Sequence, residues 1–413
     1  MGVGGVSEVI VLGAGPAGLG ATLALARAGV AVTLVEGAPW VGGLCITRRQ
    51  DGLGYDIGGH IPFVRDRARL DWLRELLDER LRWVPKPVRS VRDGRLRAGR
   101  YLDQPAQGPP ASVDDVSSAR DELERRVGTR TVEAEMRAYL EKIDGVPLEW
   151  IPADRARRLS DDQAAPDGFH FPMGGIGELM DAMADAARAA GAEILTGTRI
   201  DRVHAHGGRV SRVDITNAEG RQQLETERVI AALPAPHAVR LIRPHPPAQA
   251  MMPVRMRAVR IAYLEAAPRQ PFDDAWVQVD DPEIPFARLF APGNWSDELV
   301  SGDRTLFGCE CYCQAGDDDP LWNRDDLALI DDCARALRDR LGWIDSDARV
   351  RPVDMVRLAG AYPLPDLRQA GAVQAAVRWL GELEGLEHAP GAAVIEAIEN
   401  GERAAGRLFD GRL

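Results

Sequence analysis

The feature that most constrains this chain lies near its start, where the apolar run Val9-Ile10-Val11-Leu12 leads directly into Gly13-Ala14-Gly15-Pro16-Ala17-Gly18. An apolar helical pattern follows over 19–28, and a second apolar run over 30–35 ends on Glu36. Strand, glycine turn, helix, strand and acid within about thirty residues form a dinucleotide-binding fingerprint. Gly13 permits the tight turn, Gly15 lets the backbone approach a pyrophosphate, and Gly18 allows close packing of helix on strand. The free N–H groups of the helix start, around Pro16 and Ala17, then face the phosphates. Glu36 is placed to accept hydrogen bonds from an adenosine ribose.

The length suits one large or two modest domains. A net charge of -12 and a pI near 5.2 argue against general nucleic-acid or anionic-membrane binding. The apolar stretch over 9–35 is broken by glycines and Pro16, so no membrane span is expected. The first strand begins almost at once and no basic run precedes it, which predicts no secretory leader. The five cysteines, an odd number without a framework spacing, fit a reducing cytoplasm. Three of them fall in Cys309-Glu310-Cys311-Tyr312-Cys313. In a strand these thiols share one face. Tetrahedral zinc needs a fourth ligand, and no CxxC pair is evident, so they read as buried small apolar residues and no metal is expected.

Beyond Glu36 come Gly42-Gly43-Leu44-Cys45-Ile46-Thr47 and then Gly54-Tyr55-Asp56-Ile57-Gly58-Gly59-His60. This succession resembles the FAD-dependent amine oxidase and protoporphyrinogen oxidase superfamily, nearest the branch that includes UDP-galactopyranose mutase. The resemblance implies an α/β fold: a Rossmann-type FAD-binding domain with an interleaved α+β substrate domain, built of a mixed sheet plus a helical segment. It implies FAD as cofactor, with Gly13, Gly15, Pro16, Ala17, Gly18 and Glu36 at the ADP end. Gly42, Gly43 and Thr47 go to the phosphates and ribityl chain, and Gly58, Gly59 and His60 to the flavin.

Phe171-Pro172-Met173-Gly174-Gly175-Ile176-Gly177 resembles the family's return into the FAD domain. The resemblance also places the backbone of Val203 at the adenine and the stretch ending in Leu233-Pro234 close to the cofactor. At the C-terminus Ile395 falls where the family carries an acid ahead of a final helix, here 396–408, so contacts to the flavin and ribityl chain depart from the family there. The segments assigned to FAD are 1–103, 171–243 and 351–413. Those assigned to the substrate domain are 104–170, helical, and 244–350, a sheet floor.

Periodicity predicts a helix over 66–82, a hairpin over 88–102, a proline- and glycine-rich boundary loop over 104–111, and two helices over 113–138 broken at Gly128. Strands are expected at 259–264, 275–279, 284–290 and 305–314. Lys142 stands either in a family-like segment or at a solvated helix end with a glycine stop. Arg288, in a stretch with a family counterpart, either clamps an anionic substrate group bidentately or lies at the surface on a sheet edge. Tyr362, in Ala361-Tyr362-Pro363, is expected in the pocket wall. His60 is a flavin contact with a possible part in proton transfer. His204 and His206 read as exposed hairpin residues.

Only one dinucleotide fingerprint is present, so the substrate itself is expected to reduce the flavin, with oxygen or another acceptor reoxidising it. The expected activity is an FAD-dependent oxidoreductase of specialised metabolism that transfers hydride from a small-molecule substrate to flavin N5, with His60, Arg288 and Tyr362 as catalytic candidates. The late substrate strands carry no lysine, which ranks the amine-oxidizing branch lower. Two alternatives stand beside this expectation: a non-redox sugar-nucleotide enzyme like UDP-galactopyranose mutase, and a flavin-fold binding protein without catalysis.

Overall fold

The computed structural model describes residues 8–85, 88–92, 94–103, 106–107, 111, 115–161, 167–268, 272–300, 302, 304–391, 393–409 and 411. Five short parallel strands form a nucleotide sheet in the order Leu386–His388, Val229–Ala231, Val9–Leu12, Val32–Val35, Glu193–Leu195. Val9–Leu12 and Val32–Val35 are wholly buried, which is why they read as unbroken apolar runs rather than alternating ones. The helix Pro16–Arg27 leaves the glycine turn and packs against the helices Ile176–Ala189 and Val394–Leu408.

The crossing with the last helix is made by two glycines. A Cβ on Gly401 would overlap the carbonyl oxygen of Ala17, and one on Gly20 would overlap that of Ile398. The C-terminal helix therefore lies backbone to backbone on the helix that starts at the glycine turn.

A second sheet of seven strands runs Arg351–Pro363, Met256–Glu265, Leu306–Cys313, Arg288–Phe290, Trp276–Val279, Val88–Arg92, Arg95–Ala98. It draws on Val88–Arg92, Arg95–Ala98 and Arg351–Pro363 as well as on the 244–350 segment. The helices Ala119–Val127, Arg137–Asp144 and Ala153–Asp161 gather with Tyr312 and Ala287 over one face. The helix Asp326–Arg335 packs on the other face, where Cys309 and Cys311 meet Leu329, Ile330 and Cys333. The cysteines thus occupy the apolar face that strand parity predicts. Among the described residues no group of three or more His, Cys, Asp or Glu side chains is placed to hold a metal. No helix among them is long and apolar enough to cross a membrane.

A third sheet, Gly220–Glu225, Arg209–Asn217, Arg199–His206, Ile242–Arg243, flanks the nucleotide sheet. Local signals set most boundaries. Asp66 caps the helix Arg67–Leu77 by accepting from the Arg69 N–H. Ser118 and Asp121 form a capping box ahead of Ala119–Val127, and Gly128, with φ +81°, ends that helix. The helix thus starts six residues later than the 113–138 pattern suggests. The expected boundary loop at 104–111 lies mostly outside the described residues.

Candidate functional site

The first part of the site is a crevice at the carboxyl ends of the nucleotide strands, where open α/β sheets bind ligands. Gly13 adopts φ +95° and donates its N–H to the Val35 carbonyl at 2.8 Å, which locks the turn between the two strands. A Cβ on Gly18 would overlap the Gly13 carbonyl, so this close packing needs glycine. Nothing lies within 4 Å of a Cβ built on Gly15. The helix then begins at Pro16, with no side chain capping its N-terminus, so the Ala17 and Gly18 N–H groups point out of the helix start.

The second glycine segment closes on the first. Gly42 donates its N–H to the Ala14 carbonyl at 2.7 Å, and a Cβ on Gly43 would stand 3.1 Å from the Gly15 Cα. Gly42 and Gly43 have φ +107° and +60°, conformations that favour glycine. The Glu36 carboxylate is positioned at the mouth by the N–H groups of Ala14, at 2.7 Å, and Ala38, at 2.8 Å. A cradle without side chains, an uncapped helix start and an acid at the ribose end fit the ADP half of FAD.

The other cofactor candidates divide by their surroundings. Val203 and Ile395 are buried in apolar clusters, so only their backbones are available to a ligand. Pro234 starts the helix Ala235–Leu241, and the carbonyl of the preceding Leu233 pairs with His388 Nε2 at 2.9 Å. The Thr47 hydroxyl serves the protein: it donates to Asp56 at 2.6 Å and accepts from the Gly177 N–H at 2.9 Å. His206 is exposed, while His204 is half-buried and pairs with the buried Asp214 at 3.0 Å.

Asp56 is a residue that sequence reasoning missed. Its carboxyl is buried at the start of the helix Ile176–Ala189, where it accepts from the Ile176 N–H at 3.2 Å and from Thr47. Burial pushes its pKa up to about 7, against the opposing hydrogen bonds of Thr47 and Ile176. Its carbonyl accepts from the Tyr263 hydroxyl. The strand Leu53–Asp56 therefore delivers the Gly58-Gly59-His60 turn from a fixed post.

That turn meets the substrate sheet at Glu310, a second missed residue. The Glu310 carboxylate accepts from the Gly59 N–H at 3.0 Å, Arg288 Nε at 2.6 Å, Arg288 Nη2 at 2.7 Å and the Tyr312 hydroxyl at 2.8 Å. Burial alone would raise its pKa, but the Arg288 guanidinium and these donors hold it below the ordinary carboxylate range. Two expectations for Arg288 are corrected here. Its strand lies between Trp276–Val279 and Leu306–Cys313, not at an edge, and its bidentate face is already committed to Glu310. The signal for Glu310 was present: it alternates with the three cysteines and so occupies the opposite face.

A Cβ on Gly59 would come within 2.9 Å of Arg288 Nη2, so the turn and the guanidinium are in direct contact. A Cβ on Gly58 would stand 3.1 Å from His60 Nδ1, which folds the imidazole over its own turn. His60 Nδ1 is buried without a hydrogen-bond partner among the described residues. Burial lowers the imidazole pKa to about 4, with Glu310 opposing that shift, so the ring is neutral near pH 7. An orphaned ring nitrogen on a glycine turn is an opening for a bound group to fill.

Tyr139, Tyr312 and Tyr362 lie within electrostatic reach of Arg288, and burial keeps all three protonated. The Tyr362 hydroxyl donates to the Ile143 carbonyl at 3.2 Å, and the Arg155 guanidinium lies 5.8 Å from its ring centroid. Arg155 is in turn paired through Nε and Nη2 with the buried Asp144, at 3.2 and 3.0 Å.

Lys142 corrects the reading of a solvated helix end. Its ammonium is buried against the sheet and donates to the carbonyls of Val279, Asp281, Ile284 and Phe286, at 3.2, 2.8, 2.9 and 2.8 Å. Those carbonyls face lysine instead of a neighbouring strand. This explains why the strand expected over 284–290 shortens to Arg288–Phe290. Lys142 fixes the connection that carries Arg288.

The FAD dependent oxidoreductase family, DAO, matches residues 8–393. Among curated relatives, phytoene dehydrogenase of Streptomyces griseus is 27% identical over 299 residues, covering 59% of this chain and 58% of that protein. A Mycobacterium tuberculosis H37Rv protein named as a flavin-containing monoamine oxidase is 28% identical over 308 residues, covering 64% and 65%. The chain thus spans less than two thirds of the length of these relatives. Among solved structures, reduced UDP-galactopyranose mutase shares the fold with a TM-score of 0.79 at 17% identity, covering 98% of this chain and 96% of that one. Wild-type putrescine oxidase bound to putrescine gives 0.66 at 18% identity, covering 98% and 99%. The family match spans the glycine cradle, the Gly58-Gly59-His60 turn and the Glu310 strand alike: this chain belongs to the FAD dependent oxidoreductases, flavoenzymes with FAD as cofactor.

Proposed function

We propose that the glycine cradle and Glu36 hold the ADP end of FAD, that Gly58, Gly59 and His60 border its flavin, and that a small molecule held among Tyr139, Tyr312 and Tyr362 is oxidised there by loss of hydride from a C–H bond. The observation that carries this reading is the hydrogen bond from the Gly59 N–H to Glu310. It joins the turn expected at the flavin to the sheet expected under the substrate, so both sides of the reaction meet at one fixed point. When bound, FAD supplies a two-electron acceptor at flavin N5; oxygen or another acceptor then takes the electrons.

The residues of this chain supply placement more than proton transfer. Glu310 and Arg288 neutralise each other and hold the turn. His60, neutral and weakly basic, offers a hydrogen-bonding edge and a poor general base. The three tyrosines remain protonated and wall out water. Orientation over a preformed electron acceptor in a dry site suffices for much of such a barrier.

Anaerobic addition of candidate small molecules to the FAD-loaded protein tests the reading. A substrate bleaches the visible flavin band, and admitting air or an artificial electron acceptor restores it. A protein that takes up FAD but is bleached by no C–H donor across acids, alcohols, amines and alkenes would overturn it.

A further inference from the structure

The net charge of -12 argues against anionic surfaces for the molecule as a whole, but the acids are unevenly spread. The chain carries 63 Asp and Glu residues, yet none occurs over 229–264 or over 367–381. The structure folds these two carboxylate-free segments together. The helix Leu367–Gly381 packs on the helix Ala235–Leu241 and on the short turn Ala248–Met251, with Ala376, Trp379 and Leu380 joining Val239, Leu241 and Met251 in one apolar cluster. Gln369 fastens the other end of the helix: it accepts from the Arg255 N–H at 2.9 Å and donates to the Arg255 carbonyl at 3.1 Å.

The outer side of this unit is basic and apolar at once. Arg240, Arg255 and Arg378 are exposed and make no ion pair with any described residue. Arginines on other surfaces, such as Arg80, Arg137 and Arg304, are tied to carboxylates. Beside the free arginines stand Met252, Val377 and Leu367, 54%, 43% and 37% exposed. Along the helix, Leu367, Gly371, Gln374 and Arg378 recur on the side opposite the buried Ala372, Ala376 and Leu380, so Leu367 and Arg378 face outward together. Next to Leu367, the Arg368 guanidinium lies 3.7 Å from the ring centroid of Trp150, which is 40% exposed. Carboxylates at the margin are spent: Asp366 on Arg368, Glu149 on Arg120 and Arg137, and Glu384 on Arg209. Glu382 lies just past the helix end and bounds the face.

We infer that this face docks the protein on an anionic lipid surface. The free arginines meet the headgroup phosphates, and Met252, Leu367, Val377 and Trp150 enter the boundary between headgroups and acyl chains. Such a surface repels the acidic remainder of the molecule, which fixes the orientation of approach. A nucleic acid would satisfy the arginines and leave the aliphatic side chains in water, whereas a bilayer takes up both kinds of group.

Vesicle binding by the FAD-loaded protein tests the inference, independently of any flavin chemistry. The vesicles are phosphatidylcholine alone and phosphatidylcholine with about 30% phosphatidylglycerol. The protein should float with the mixed vesicles and not with the neutral ones, and less of it should float as salt rises. Arg240→Glu with Arg378→Glu, which breaks no ion pair, should weaken binding by at least about tenfold. Met252→Ser with Val377→Ser leaves the charge unchanged and should weaken it by at least about threefold. Arg349→Glu, at an exposed arginine outside this face, should leave binding unchanged, and retained FAD reports that each variant is folded. Failure to float with the mixed vesicles, equal binding to both kinds, or unchanged binding in either paired variant would overturn the inference. Capture on immobilised poly-glutamate that needs Arg240 and Arg378, in a protein the mixed vesicles do not bind, would assign the face to an acidic polypeptide and overturn it as well.

Discussion

Gly401 and Gly406 lie on the same C-terminal helix, and alanine should act on them with opposite sign. At Gly406 nothing lies within 4 Å of a new Cβ, so the substitution gains only helix propensity, about 0.5–1 kcal/mol. At Gly401 the Cβ overlaps the Ala17 carbonyl oxygen and stands 2.8 Å from both the Ala17 carbonyl carbon and the Ala21 nitrogen. Non-bonded carbons settle at about 3.5–4 Å, so the two helices must part by about 1 Å. The obstructing atoms are backbone, without a rotamer to yield, which puts the overpacking cost near the upper end of its usual range, about 3 kcal/mol. Subtracting the propensity gain leaves a net loss of about 2 kcal/mol, and a gap of about 3 kcal/mol between the two variants.

The displaced helix is the one that starts at the glycine cradle, so Gly401→Ala should also release FAD more readily while Gly406→Ala does not. Urea midpoints of the FAD-loaded variants, with FAD release followed by flavin fluorescence, measure both effects. Equal midpoints and equal FAD retention in the two variants would refute the backbone-to-backbone crossing.

Three further outcomes follow from individual contacts. Gly18→Ala, whose Cβ overlaps the Gly13 carbonyl, should cost about tenfold or more in FAD affinity with far-ultraviolet circular dichroism unchanged. His60 is held neutral by burial with a pKa of about 4 against about 6.5 in the unfolded chain, so the unfolded state takes up the proton first on acidification. His60 thus contributes a loss of stability as pH drops from about 6.5 to about 4, against the opposite contribution of Asp56 with its pKa of about 7, and His60→Gln should raise the urea midpoint at pH 4 relative to pH 7 compared with wild type. Lys142→Met removes the ammonium from four carbonyls, of which that of Asp281 keeps the Ile284 N–H, and at about 1–3 kcal/mol for each acceptor left unsatisfied should lower stability by about 3 kcal/mol or more. Lys142→Arg should not restore it, because a planar guanidinium cannot replace a compact ammonium among those oxygens.

The parts of the fold that were legible in the sequence are those whose physics is local. The turn from Gly13 to Gly18, the buried strands on either side and the acid at Glu36 impose fixed spacings within a short segment, and the structure assembles them as such. The cysteine alternation gave the buried face of its strand for the same reason. What escaped notice depends on partners distant in the chain. Lys142 looks like an ordinary helix end until it meets carbonyls 137 to 144 residues away. Arg288 looks like a free clamp until Glu310, in the neighbouring strand, takes its bidentate edge. Asp56 reads as an unremarkable strand residue, because only the helix start at Ile176 gives its carboxyl a purpose. Glu310 is the instructive case. The parity that marked Cys309, Cys311 and Cys313 as core also marked Glu310 and Tyr312 as facing the other way, toward the site.

A flavin reduced by a substrate lodged beside the Gly59–Glu310 contact is the centre of the proposed function. The most direct measurement is the visible absorption of the FAD-loaded protein during anaerobic titration with small C–H donors, acids, alcohols, amines and alkenes among them. At least one donor should bleach the flavin band stoichiometrically, and the Glu310→Gln, Arg288→Met pair should suppress the bleaching while FAD remains bound. A flavin that stays oxidised with every such donor, or bleaches equally well without the Arg288–Glu310 pair, would contradict that function.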